Sequence, residues 1–227
     1  MIAEVSLFAA LLLPATIPGA VCDVTPLSTE PLAAMLAPAP DDDLRALYLS
    51  GEGFEKFLGD AERRRELWHG NWGKSEGIDM ALVERAREVG GTWHFLVVAI
   101  DSCSDSVSTI PYLARLVAMA DNLSMRVVDP EAGAEVMRSH RTPDGRPSTP
   151  TVVLLDENFD EAGCFIERPT WLRDHIIENP NDLGRSEIVS MKMEWYGDNA
   201  GADTVTDFVT MLEAAGRGEV QCASSGA

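Results

Sequence analysis

The spacing of apolar residues changes character at Trp93. Before it, Leu44, Leu47 and Tyr48, then Phe54, Phe57 and Leu58, then Ala81, Leu82, Ala86 and Val89 recur at helical intervals, and Gly90-Gly91 stops the last stripe. These stripes predict two or three helices between Asp43 and about Glu88, with the aromatic residues in a core. From Trp93 an apolar run continues to Ile100, interrupted only by His94. A run of this length bounded by polar residues predicts a strand buried on both faces. A polar turn follows, Asp101-Ser102-Cys103-Ser104-Asp105. Helical spacing then resumes from about Ser104 to Ala120, with Ile110, Leu113, Leu116, Val117 and Met119 on one broad face.

Further alternation predicts a strand at Leu123–Val128, a short helix at Glu131–His140 and a loop of turn residues from Arg141 to Thr149. A strand at Thr151–Leu155, a hairpin connection at Asp156–Glu161 and a returning strand at Ala162–Glu167 come next. A helix starts near Thr170, with Trp171, Leu172 and Ile176 facing in. A segment near Ile188–Tyr196 precedes a last helix carrying Val205, Phe208, Val209 and Leu212 at i, i+3, i+4 and i+7. The order is βαβα, a β-hairpin, then α: an α/β fold with a parallel pair and an antiparallel hairpin. The expected organisation is an extension and linker at 1–43, a helical region at 44–91, the core at 92–180, C-terminal helices at 181–215 and a disordered tail at 216–227. A buried strand feeding a helix through a tight turn puts Cys103 at the carboxyl end of the sheet, where reactive groups gather in open α/β folds.

Charge narrows the partners. The 227 residues carry a formal charge of −19 and only three lysines, Lys56, Lys74 and Lys192. This balance argues against nucleic acid and against an anionic membrane as partners. Residues Ser6–Leu13 are apolar, but Glu4 stands where a secretory signal carries a basic residue, and Pro14 and Pro18 leave too short a stretch to cross a membrane. The reading is a cytoplasmic protein with an irregular extension; export is the alternative if residues 1–20 act as a signal peptide. Arg63-Arg64-Arg65 reads as a solvated face.

The cysteines, Cys22, Cys103, Cys164 and Cys222, form no Cys-x-x-Cys, and no Cys/His group has zinc-ligand spacing. Neither a metal nor a disulfide framework is expected. Cys164 reads as a core filler, Cys22 and Cys222 as tail residues, and His140 as a surface histidine ending a helix.

The element order and several landmarks resemble the thioredoxin fold. Cys103 opens the helix after the first core strand, Pro111 follows eight residues later where thioredoxins carry a helix-kinking proline, and Thr149-Pro150 precedes the hairpin strand where they carry a cis-proline. From about Leu44 to Leu212 the chain is most similar to a bacterial thioredoxin-like group with N-terminal helices. That group has a Trp-Cys-Gly-Asp turn, a Gly-x-Arg-Ser-Ile-Pro loop and an Arg-Pro pair after the hairpin. Cys103 and Asp105 match the turn, Gly145, Arg146, Ser148, Thr149 and Pro150 match the loop with Pro147 as an extra residue, and Arg168-Pro169 matches the pair. The resemblance implies a reactive Cys103 beside a cis-proline that presents a backbone edge to an extended substrate.

The departures bear on chemistry. Ser102 and Ser104 replace the Trp and Gly flanking the cysteine, Ser106 stands where ordinary thioredoxins keep the resolving cysteine, and Val97 stands where they keep a buried acid. The helix start favours a Cys103 thiolate, Asp101 and Asp105 oppose it by like charge, and Arg146 is the expected counterweight. Two functions fit. One is a monothiol thiol–disulfide oxidoreductase acting through Cys103 on protein or small-molecule disulfides, with no bound cofactor and a low-molecular-weight thiol as co-substrate. The other is a non-catalytic module that docks extended segments beside Pro150.

Overall fold

The computed structural model describes residues 41–178 and 185–222. The extension through residue 40, with its signal-like stretch and Cys22, lies outside the described residues, as do residues 179–184 and 223–227.

The helical stripes before Trp93 form four helices: α1 (Asp41–Ser50), α2 (Phe54–Asp60), α3 (Arg65–Lys74) and α4 (Met80–Glu88), with one 3-10 turn at Ser75–Gly77. Asp79 caps α4 by accepting the Ala81 N–H at 2.9 Å. The core follows as β1 (Trp93–Val98), α5 (Ser104–Met119), β2 (Leu123–Val128), α6 (Ala134–Ser139), β3 (Thr151–Leu155), β4 (Glu161–Ile166) and α7 (Thr170–Glu178). Then come α8 (Arg185–Asn199), α9 (Ala202–Gly216) and β5 (Gln221–Cys222). The first strand ends at Val98, and Ala99 and Ile100 lead into the turn that bears Cys103.

The sheet order is β2-β1-β3-β4-β5. β1 pairs in parallel with β2 and antiparallel with β3, β3 pairs antiparallel with β4, and β4 pairs in parallel with β5. Successive residues of a strand face opposite sides, so β1 serves two cores. Phe95 and Val97 join one core with Trp68, Ile110, Leu113 and Phe208. Leu96 and Val98 join the other with Tyr48, Val136 and Met137. Burial on both faces is the physical reason for the unbroken apolar run. No helix among the described residues is long and apolar enough to cross a membrane.

Residues through Cys222 depart from the expectation of a disordered tail from 216. α9 runs to Gly216, and after a turn Gln221 and Cys222 add β5 to the edge of β4, with Cys164 opposite Cys222. These two cysteines are joined in a disulfide. Cys164 is buried as expected, but it is a bonded half-cystine, and Cys222 is its partner and not an incidental tail residue. Fifty-eight residues separate them, too far for sequence spacing to signal the pair.

His94, the polar residue inside β1, stacks on Phe159 at 4.5 Å, and its Nδ1 lies 2.6 Å from Ser124 Oγ. Burial pulls its pKa below 6.5, opposed by the nearby charge of Asp156. A histidine lowered by folding favours the native state above its unfolded pKa, and that contribution is lost as pH falls through the folded value. The His94 contribution should therefore be lost as the pH drops below about 6.5, read by urea denaturation as the difference between wild type and His94→Phe.

Candidate functional site

Cys103 is the N-cap of α5, with φ −76° and ψ 126°, so its side chain turns back over the first helical N–H groups. The Ser106 N–H donates to Cys103 Sγ at 3.3 Å. The same sulfur lies 3.0 Å from the carbonyl oxygen of Thr149, and the Thr149–Pro150 bond is cis. In the reduced protein a thiol at this distance donates to that carbonyl, whereas a thiolate is left with the Ser106 amide. Cys103 is disulfide-bonded in this structure and only 1% exposed. Among the described residues no group pairs with the buried hydroxyls of Ser106, Ser148 and Thr149.

The two acids flanking the cysteine are each committed elsewhere. Asp101 Oδ2 accepts the N–H groups of Glu62 at 2.9 Å and Arg63 at 2.8 Å. Around it, Trp68 Nε1 donates to the Asp101 carbonyl at 2.9 Å and Arg64 Nε to the Ser102 carbonyl at 2.6 Å. Four hydrogen bonds, three from the turn before α3 and one from Trp68 within α3, thus hold the cysteine turn. Arg64 belongs to this clamp, which corrects its reading as part of a solvated face, whereas Arg63 and Arg65 are exposed as expected.

Asp105 is fully buried. Its Oδ2 accepts from Lys192 Nζ at 2.7 Å, and its Oδ1 accepts from Tyr196 Oη at 3.0 Å and faces Arg168 Nε at 3.4 Å. Lys192 also donates to Ser104 Oγ at 3.1 Å. The carboxylate that was expected simply to oppose a thiolate is therefore neutralised by two cations and a phenol. Arg146 reaches Asp144 at 2.6 Å and Glu167 at 3.6 Å; the cations on Asp105 are Arg168 and Lys192. Burial raises the pKa of Glu167, and Asp105 adds to this, while Arg168, Arg146 and Lys192 pull the other way without reversing it. Burial also puts the Tyr196 phenol well above its ordinary value, so it remains a proton donor to Asp105.

The sequence pattern of the thioredoxin family matches residues 51–182, more than half of the chain. The chain belongs to the thioredoxin family. Among solved structures, a Pseudomonas aeruginosa protein of unknown function is 22% identical, with a TM-score of 0.58, over 74% of this chain and 96% of the other. An HIV epitope scaffold is also 22% identical, with a TM-score of 0.58, over 75% of this chain and 97% of the other. These two likenesses concern the fold. No curated protein matches.

Within this thioredoxin-family protein, the predicted residues divide by place. Cys103, Thr149 and Pro150 meet at the end of β1. Asp101 and Ser102 face the turn before α3. Ser104 and Asp105 face α8, and Arg146 stands with Asp144 and Glu167. Sequence reasoning missed Lys192 and Tyr196, which α8 brings from far along the chain. One faint signal was present: in a chain with three lysines, Lys192 lies between apolar residues of the Ile188–Tyr196 segment.

Proposed function

We propose that this protein carries out thiol–disulfide exchange through Cys103, with a low-molecular-weight thiol completing the cycle. The supporting observation is the placement of one sulfur between a helix-start N–H, from Ser106, and the carbonyl preceding cis Pro150. The helix start stabilises negative charge on the sulfur, and the cations Arg168 and Lys192 on Asp105 offset part of the repulsion expected from sequence. The reduced Cys103 thiolate attacks one sulfur of a substrate disulfide, forming a mixed disulfide and releasing the other sulfur as thiolate, which takes up a proton. A small thiol, as thiolate, then attacks the substrate sulfur of the mixed disulfide and regenerates Cys103. A second small thiol reduces the resulting substrate–thiol disulfide, so two small thiols are oxidised for each substrate disulfide reduced. With Ser106 in the place of the resolving cysteine the Cys-x-x-Cys route of release is closed, and the cycle starts once the disulfide that Cys103 carries in this structure is reduced.

The near-complete burial of Cys103 favours a second reading, a non-catalytic module that docks an extended segment beside Pro150. Disulfide-reducing turnover with a small-thiol reductant separates the two. Cys103→Ser is expected to bring turnover down to the uncatalysed rate while leaving the denaturation midpoint of the reduced protein nearly unchanged. Equal rates for wild type and Cys103→Ser would remove the exchange reading and leave docking.

A further inference from the structure

On the far side of the sheet from α5, four side chains with metal-binding atoms converge: His140, Glu161, Cys164 and Cys222. Their ligand atoms all lie within 4.8 Å of one another. His140 Nε2 is 2.9 Å from Glu161 Oε1, and Cys222 Sγ is 3.8 Å from the same oxygen. We propose that these four residues bind a zinc-type divalent transition metal once the Cys164–Cys222 disulfide is reduced, so that disulfide and metal are alternative states of one site.

The backbone explains the convergence. Glu161 and Cys164 are three residues apart, which on a regular strand puts them on opposite faces. β4 has a register shift: Leu155 pairs with Glu161, Leu154 with Gly163 and Val153 with Cys164, leaving Ala162 as an extra residue. Such a bulge re-aims a side chain, and it brings Glu161 onto the face of Cys164. That face is covered by α6, which ends in His140 as its C-cap. The His140 Nδ1 is 2.8 Å from the Val136 carbonyl. Donation of Nδ1–H to that carbonyl fixes the tautomer and leaves the Nε2 lone pair directed at Glu161 and the sulfurs. A carbonyl that accepts from the far ring nitrogen of a ligand histidine in this way is a recurrent feature of metal sites. The His140 side chain is 10% exposed, and Cys164 is buried. This corrects the expectation that His140 is a surface histidine without a Cys partner.

The donor set points to the metal class. Two thiolates, one imidazole and one carboxylate make four ligands, the number and softness that suit tetrahedral zinc. Bonds of about 2.0–2.3 Å place tetrahedral ligand atoms roughly 3.3–3.8 Å apart. The Glu161–Cys222 and Glu161–His140 distances are already near that range, and the required change is the parting of the two sulfurs. Cys222 belongs to a two-residue strand at the sheet edge, which can shift outward without breaking the core. A disulfide alone would need neither the buried imidazole nor the re-aimed carboxylate. The conversion balances with a thiol as the reductant: the disulfide, two thiols and one divalent cation give the metal dithiolate, one disulfide of the reductant and two protons.

The test uses the full-length chain, reduced with a phosphine and then titrated anaerobically with cobalt(II). One equivalent should bind per chain, giving thiolate-to-cobalt charge-transfer absorption and the visible bands of a tetrahedral centre, and zinc(II) should bleach both. The oxidised chain should give neither band. Removing a group that only orients a ligand typically weakens a metal site about 10- to 100-fold, so removing a ligand itself, in His140→Gln or Cys222→Ser, should weaken cobalt binding by at least about 100-fold. Cys103→Ser should keep both the stoichiometry and the spectrum. Absence of the charge-transfer band in reduced wild type overturns the proposal, as does an unchanged affinity in His140→Gln. Should Cys222→Ser fail to fold by circular dichroism, His140→Gln, which retains both sulfurs and β5, decides the matter.

Discussion

Lys192→Met should lower the unfolding free energy by about 3 kcal/mol. Removing one member of a buried ion pair leaves the other charge without compensation and typically costs about 3–5 kcal/mol. Asp105 is fully buried, and the Lys192 side chain is 6% exposed, so water does not screen the loss. Arg168 and Tyr196 remain on the carboxylate, which holds the expected value at the low end. Asp105→Asn combined with Lys192→Met should lose less than Lys192→Met alone, because no unpaired charge is left buried. Urea denaturation of the three proteins at neutral pH measures this. A loss below about 1 kcal/mol for Lys192→Met would mean that Asp105 is reached by water or is held by Arg168 alone.

Trp68→Ala is expected to cost about 3–5 kcal/mol, the range for truncating a large buried aromatic side chain. Trp68 is completely buried, meets Phe57 edge-on at 5.1 Å and donates its indole N–H to the Asp101 carbonyl. Its loss therefore opens a cavity and at the same time removes one of the four bonds on the cysteine turn. Trp68→Phe keeps most of the packing and removes the donor, for an expected cost of about 1–3 kcal/mol. Hydrogen exchange gives the second readout: the Glu62 and Arg63 amides, held by Asp101, should exchange faster in Trp68→Ala than in Trp68→Phe. Equal exchange in the two variants would show that the clamp does not depend on the filled cavity.

The parts of this protein that could be read from sequence are those whose cause is local. The run at β1 is apolar because both faces are covered, the β3 boundaries follow from the same cause, and β2, at the sheet edge, shows the alternation of a strand buried on one face. Cys103 was located because strand, turn and helix start are adjacent in the chain. The rest depends on pairs that periodicity does not encode. Nothing near Asp105 announces Lys192, and nothing near Cys164 announces Cys222. The β4 register shift, which sets the direction of Glu161, comes from one extra residue in an otherwise regular hairpin. The surroundings of His140 escape the sequence for the same reason: its neighbours are four residues back along the helix and across the sheet, and only the first are visible in sequence.

The distance along the chain between Asp105 and its partners has a consequence for how the protein is made. The bonds to Lys192 and Tyr196 span 87 and 91 residues. During synthesis the cysteine turn leaves the ribosome well before α8 exists, and at some 5–20 residues per second the interval lasts several seconds. In that interval Asp105 has neither its lysine nor its phenol, and a nearby acid disfavours the thiolate of Cys103. The turn that bears Cys103 thus acquires its final electrostatic surroundings only when α8 docks, late in translation.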